Sequence, residues 1–385
     1  MKVGGPWLER APTQAVLAML ARVGHRALVV GGCVRNAILG EPVADVDIAT
    51  DAPPDRVAGL ARDAGLKAVP TGIAHGTVTV IAEGVAHEVT TFRRDVATFG
   101  RHAQVSFSDR IEEDAARRDF TMNALYATAG GEVIDPLGGL ADTLARRVRF
   151  VGAPEDRIRE DYLRILRFFR FLAWYGDPSE APDAQGLAAC AALVHGLDTL
   201  SRERVGAEIT RLLAAPDPVP ALAAMEGAGV LARVLPGAGL KHVRALVAIE
   251  RGLAASFPRR LAALGGEDPA RRLRLSRAEA ALLRSLREAA GGHESPAALG
   301  HQLGEGAGRD AVLLRAAIGG TAPPAGWQDE LARGARARFP VTAGDLMPAL
   351  SGPALGRRLE MLRRRWLDGG LRAGREELLA QDFNS

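Results

Sequence analysis

The chain has 385 residues, 47% of them hydrophobic and 25% charged, which is length enough for two or more domains and a sizeable core. Its formal charge is +3, and the lysines are only Lys2, Lys67 and Lys241, so the positive charge is nearly all arginine, whose planar fork suits phosphates and bases; GC-rich coding produces the same excess. Two cysteines, Cys33 and Cys190, exclude a disulfide framework or a cysteine-rich zinc site, and no run of about 20 apolar residues or signal-peptide pattern occurs, so a cytoplasmic chain without a membrane span is expected.

Residues 1–26 read as a helical lead-in, with Pro12 and Thr13 as start signals and Val16, Leu17, Leu20 and Val23 as the buried face. Residues 27–50, ALVVGGCVRNAILGEPVADVDIAT, then read as a strand, a Gly31-Gly32 turn, a short helix, a glycine stop and a second strand carrying Asp45 and Asp47. Positions two apart on a strand point to one side, so the two carboxylates converge and repel. A hard divalent cation such as Mg²⁺, bound together with substrate phosphates, answers that repulsion. The glycine pair lets backbone approach a ligand closely, and the helix behind it offers N–H groups to an anion. A bare Asp-x-Asp also occurs on surface turns. Coupled to GGxVR at this spacing, it resembles the nucleotidyltransferase signature of the DNA polymerase beta superfamily.

Ala52-Pro53-Pro54-Asp55 opens a helix running to about Ala64. Residues 75–92 alternate as a hairpin broken at Glu83-Gly84, and the returning strand sets Glu88, Thr90 and Phe92 on one face, beside the Asp strand. Glu88 is then either a third carboxylate for the metal pair or a cross-strand partner for an arginine. Residues 93–116, with Arg93-Arg94-Asp95 and Gly100-Arg101-His102, read as a long polar loop. RRDFTMNALYAT, residues 117–128, joins a charged turn to an apolar run, and Asp135-Pro136 and Gly138-Gly139 mark a tight turn.

From Pro154 the pattern predicts one helix with Ile158, Tyr162, Ile165, Phe169 and Leu172 in a stripe. Arg164, Arg167 and Arg170 fall on the other side among Leu163, Phe168 and Phe171, where a cation is costly unless an anion pairs with it; a triphosphate is a suitable partner. Residues 185–385 read as helices throughout, with a cap at Ser201, a break at Pro216-Asp217-Pro218, and joints at Gly265-Gly266, Gly291-Gly292 and residues 319–326. Arg357, Arg358, Arg363, Arg364, Arg365, Arg372 and Arg375 make a basic tail, suited to a phosphate backbone or to a solvated helix face.

Four blocks stand in order: GGCVRNAILGEPVADVDIAT, HGTVTV with HEVTTF, RRDFTMNALY, and REDYLRILRFFRF. Their order and spacing resemble the bacterial tRNA nucleotidyltransferase and poly(A) polymerase family, whose members include enzymes that add CCA to tRNA 3′ ends. The likeness is strong over residues 25–240 and weaker to the end. It implies an α+β fold: a polymerase-beta-like nucleotidyltransferase head with a small mixed β-sheet (1–153), a helical neck (154–215), and an all-α body and tail that binds tRNA (216–385).

Carried over by the resemblance, Asp45 and Asp47 hold Mg²⁺, with Glu88 as the third carboxylate. Gly32, Arg35 and Arg118 meet the triphosphate, while Asp119 and Asn123 hold the ribose and the turn. Asp161 and Arg164, three apart on one helix, read the base edge of CTP or ATP, and Arg167 and Arg170 extend toward the phosphates. The chain departs from the family at Asn36, where the block commonly ends in Asp, and none of its eight histidines precedes an Asp, so the His-Asp phosphohydrolase motif of some relatives is not expected. Poly(A) addition or addition of the terminal A alone is the runner-up activity, and a non-catalytic RNA-binding relative is the rival of another class.

Overall fold

The computed structural model describes residues 1–99 and 102–380. Contacts gather the chain into two units, residues 1–208 with 220–233, and residues 209–219 with 234–385.

The first unit begins with α1 (Pro6–Glu9) and α2 (Ala11–Ala21), followed by β1 (Leu28–Val30), α3 (Gly32–Leu39), β2 (Asp47–Thr50) and α4 (Pro54–Asp63). Strands β3 (Lys67–Gly72), β4 (Thr77–Ala82) and β5 (Val85–Thr91) come next. The tight turn between β4 and β5 has Glu83 and Gly84 both at positive φ, 49° and 79°, the backbone a two-residue hairpin requires. With β8 (Tyr126–Ala127) and β9 (Val133–Ile134), introduced below, they make a mixed seven-stranded sheet in the order β3-β4-β5-β2-β1-β8-β9, with β2 and β5 parallel.

Alternation divides the sheet. Val29, Ile48, Val78, Val80 and Val89 pack on one face with Val16, Leu17 and Leu20 of α2 and Val57 and Leu60 of α4. Leu28, Val30, Ala49, Phe92 and Tyr126 form a smaller cluster on the other. Val23, expected in the core, is 47% exposed because α2 ends at Ala21 and the chain turns outward before it.

Residues 93–116 are not the expected loop. β6 (Arg93–Phe99) and β7 (His102–Phe107) pair as an antiparallel ribbon, and α5 (Ile111–Ala116) follows. A ribbon is held by backbone ladders, which polar side chains do not prevent, so polarity alone concealed it. Gly100 and Arg101 of the expected loop lie outside the described residues. Beyond β8 and β9 stand α6 (Gly139–Leu144), α7 (Pro154–Glu160), α8 (Leu163–Tyr175) and α9 (Ala184–Ala192).

The single helix expected from Pro154 is two. Asp161 adopts an extended backbone, φ −154° and ψ 105°, and its Oδ1 accepts the Leu163 N–H at 3.1 Å, so α8 restarts behind it. The apolar stripe survives the break, with Ile158, Ile165 and Phe169 fully buried. The chain leaves this unit within α10 (Arg202–Leu213), and α11 (Val219–Gly227) and α12 (Val230–Val234) follow.

The second unit is helical: α13 (Leu240–Ile249), α14 (Phe257–Leu264), α15 (Pro269–Arg272), α16 (Arg277–Gly291), α17 (Pro296–Gly319), α18 (Trp327–Arg336), α19 (Gly352–Asp368) and α20 (Arg375–Ala380). Glu250 ties the buried Arg259 and Arg260 together, and Arg260 also donates to the carbonyls of Leu213 and Pro216. Leu362 and Trp366 bury one face of α19 while Arg357, Arg363, Arg364 and Arg365 stay exposed. No helix among the described residues is long and apolar enough to cross a membrane.

Candidate active site

The site begins where β1 ends. Gly31 takes φ 74° and ψ −119°, turning the chain from β1 into α3, and a Cβ there would stand 3.3 Å from Arg118 Nη1. Only glycine takes that turn without strain and leaves room for the guanidinium. The β1–β2 ladder ends at the Val30–Asp47 pair, so β2 starts at Asp47 and Asp45 precedes it, exposed. Asp45 was expected on the strand; the ladder stops short because Gly31 turns away.

Asp47 stands opposite Glu88 in the parallel β2–β5 register. Although Asp47 keeps an exposed surface, partial desolvation by the surrounding protein raises its carboxyl above its ordinary value, and the charges of Glu88 and Asp45 push the same way against Arg118. Among the described residues no group of three or more His, Cys, Asp or Glu is gathered as a ready metal cage. The donor set is nonetheless all carboxylate oxygen with mutual repulsion, which suits a hard divalent cation completed by phosphate oxygens.

A cleft of about 460 Å³ opens beside these carboxylates, lined by Gly32, Arg35, Asp47, Arg118, Asp119, Asn123, Asp161, Arg164 and Arg167, nine of the residues singled out from the sequence. Asp45, Glu88 and Arg170 do not line it. Arg170 donates to Glu208 and lies over the Phe171 ring, which does.

Each arginine is held in place. Arg118 donates to Asp114 Oδ2 at 3.0 Å and to the Tyr126 hydroxyl at 3.2 Å, and Arg117 donates to Asp114 Oδ1 at 2.8 Å. Burial alone would raise the Asp114 carboxyl, but Arg118 and Arg117 hold it down at about 2. Arg167 donates from Nε to Asp119 Oδ2 at 2.7 Å, and Asp119 Oδ1 accepts from Asn123 at 2.8 Å. Asp119 thus braces the turn and a neighbouring helix, its pKa lowered by Arg167 and Asn123 in spite of burial.

Asp161 and Arg164 both reach the cleft, but not as neighbours on one helix. Asp161, at the α7–α8 break, accepts from Arg204 at 2.6 Å, and Arg164 on α8 is bonded to Glu160 and to the Arg157 carbonyl at 2.9 Å. The embedded arginines that sequence reasoning left for a triphosphate therefore already have carboxylate partners. Arg117, Arg204, Asp114 and Tyr175 were missed. Asp114 could have been found, since it stands three and four residues before the paired arginines. Nothing local marks Arg204, which arrives from α10 about forty residues later.

Two family models match, the Poly A polymerase head domain over residues 27–149 and the Probable RNA and SrmB- binding site of polymerase A over residues 182–239. The CCA-adding enzyme of Lactiplantibacillus plantarum is 42% identical over 216 residues, covering 56% of this chain and 51% of that one. That of Anoxybacillus flavithermus is 40% identical over 204 residues, covering 52% and 50%. The match thus spans about half the length of these relatives. Over nearly the full length, the crystal structure of the Bacillus stearothermophilus CCA-adding enzyme in complex with CTP superposes with a TM-score of 0.78 at 31% identity, covering 97% of both chains.

Proposed function

The chain belongs to the CCA-adding enzyme and poly(A) polymerase family, and from that premise we propose that it adds C, C and A to the tRNA 3′ end from CTP and ATP without a nucleic-acid template. The observation that carries this reading is the shared cleft, where Asp47 lies on one wall with the phosphate turn, the arginines and Asp161 around it. The RNA 3′-hydroxyl releases its proton to solvent, its oxygen bonds to the α-phosphorus, the bond from the α-phosphorus to the bridging oxygen breaks, and pyrophosphate leaves.

Nucleotidyltransferases of this kind generally use a divalent metal. Here we take it to be Mg²⁺, which Asp45 and Asp47 with Glu88 as third carboxylate would hold, and which would supply charge to lower the pKa of the attacking hydroxyl and to offset the leaving oxygens. Arg35 and Arg118, with the Gly32 backbone, bind and orient the phosphates, where fixed positive charge meets charge that grows in the transition state. Arg167 and Arg170, braced by Asp119 and Glu208, set the shape of that wall. Asp161 supplies an acceptor and Arg164 a donor fork for the base edge. Residues 1–153 act as the head, 154–215 as the neck, and 216–385 as a body and tail whose arginines take the tRNA backbone, in the cytoplasm.

The test is end sequencing of tRNA that lacks its last three nucleotides, incubated with the chain and Mg²⁺ and offered CTP and ATP separately and together. Addition of CCA and then a stop is the expected result. A run of A, or A added only to tRNA ending in CC, moves the chain to the runner-up activity, and no incorporation removes the enzymatic reading.

A further inference from the structure

Six arginines line the cleft, and five have a carboxylate: Arg117 and Arg118 share Asp114, Arg164 has Glu160, Arg167 has Asp119 and Arg204 has Asp161. Arg35 has no carboxylate within ion-pair reach among the described residues, although it is only 6% exposed. Its Nε and Nη2 donate to Asn36 Oδ1 at 3.1 and 2.8 Å, Nη1 donates to Asn123 Oδ1, and Nη2 also donates to the Tyr175 hydroxyl at 2.8 Å. The guanidinium carbon lies 3.8 Å from the Tyr175 ring centroid and 5.1 Å from that of Phe171.

These partners satisfy the N–H groups and fix the plane of the guanidinium without a direct ion pair; the nearest carboxylate charge acting on it is Asp119, which reaches it only across the Asn123 amide. A buried cation left in that condition is costly unless an anion arrives. Asn36 also donates from Nδ2 to the Pro42 carbonyl at 2.7 Å, fastening the segment that leads to Asp45. An aspartate at position 36 could not make that bond and would set a carboxylate against Arg35 Nε and Nη2.

We propose that Asn36 and Tyr175 are positioning residues, a neutral clamp that leaves Arg35 without a direct carboxylate partner and presents its charge to the triphosphate of the incoming nucleotide. The proposal rests on the nucleotide-binding reading above.

Isothermal titration of the full chain with pyrophosphate, CTP and cytidine tests it, with thermal unfolding of each variant as the check on folding. Asn36→Asp should weaken pyrophosphate and CTP by about tenfold or more, the scale of one charged contact, and leave cytidine unmoved. Asn36→Ala, which loses the acceptor but keeps the charge free, should weaken them less. Tyr175→Phe keeps the ring face and should recover most of what Tyr175→Ala loses. Asn36→Asp binding pyrophosphate as tightly as the unmodified chain, or Asn36→Ala binding it more weakly than Asn36→Asp, overturns the clamp while the nucleotide reading stands. An unmodified chain that binds neither pyrophosphate nor CTP overturns both.

Discussion

Asp47 on β2 and Glu88 on β5 face one another in register across parallel neighbouring strands. Two like charges side by side at a strand end destabilise the chain until a cation joins them. Asp47→Asn should therefore raise the thermal midpoint of the metal-free chain by roughly 2 °C while abolishing nucleotide incorporation. Adding Mg²⁺ should raise the midpoint of the unmodified chain and not that of the variant. A variant that gains as much from Mg²⁺ as the original moves the metal away from these carboxylates.

Asp114 is 1% exposed and is the carboxylate partner of both Arg117 and Arg118. Asp114→Asn leaves two guanidiniums against a neutral group, and breaking a buried pair costs about 3–5 kcal/mol. The folded carboxyl sits at about 2, below its unfolded value, so its stabilisation is present above that unfolded value and is lost as pH falls toward 2. Urea midpoints measured from pH 6 down to 2.5 should show the gap between the two proteins closing with acid. A gap that stays constant over that range means the pair contributes through packing alone.

The strand–turn–helix–strand core of the site is legible in residues 27–50 because each signal there is local: period-two apolar residues, two glycines and a glycine stop. The tight turn Glu83-Gly84 fixes which face of its hairpin Glu88 takes, while its place opposite Asp47 comes from the parallel pairing of β2 and β5. The break at Asp161 is not legible in this way. The stripe from Ile158 to Phe169 keeps helical spacing straight through it, and of the two bonds on the Asp161 carboxylate the one from the Leu163 N–H is local while the other comes from Arg204, in a helix not yet begun. Polarity likewise marked residues 93–116 as loop, although the β6–β7 ladder within them is made by backbone atoms. In the arginine wall, residue type pointed to phosphate, but only the packed structure separates Arg35, with neutral partners, from Arg167 and Arg170, already committed to Asp119 and Glu208.

Base choice should depend on Arg204 as well as on Arg164. Arg204 fixes one oxygen of Asp161 and the Leu163 N–H fixes the other, so the acceptor presented to a base is set by both. A bidentate base contact discriminates by about 1–3 kcal/mol, or roughly 5- to 150-fold. Misincorporation of UTP and GTP, counted by end sequencing, should rise by about that factor in Arg164→Ala and in Arg204→Ala, with tRNA affinity changed far less. Equal losses of all four nucleotides would instead assign these residues to general support of the fold.

The basic face of α19 gives a prediction that needs no knowledge of the catalytic site. Arg357 and Arg364 are exposed, whereas Leu362 and Trp366 on the same helix are buried, so the two arginines can be changed without opening the core. If they contact RNA phosphates, each substitution to Ala removes one released counterion. The slope of log affinity against log salt should then fall by about 0.7–0.9 per arginine. Filter binding of tRNA from 50 to 300 mM salt measures that slope directly. A weaker intercept with an unchanged slope would mean that the arginines shape the helix face without touching phosphate, and no change in either would leave α19 outside the RNA path. CTP binding, which we assign to Arg35 and Arg118 in the first unit, should stay the same in both variants, and that separation is what distinguishes a lost RNA contact from a damaged fold.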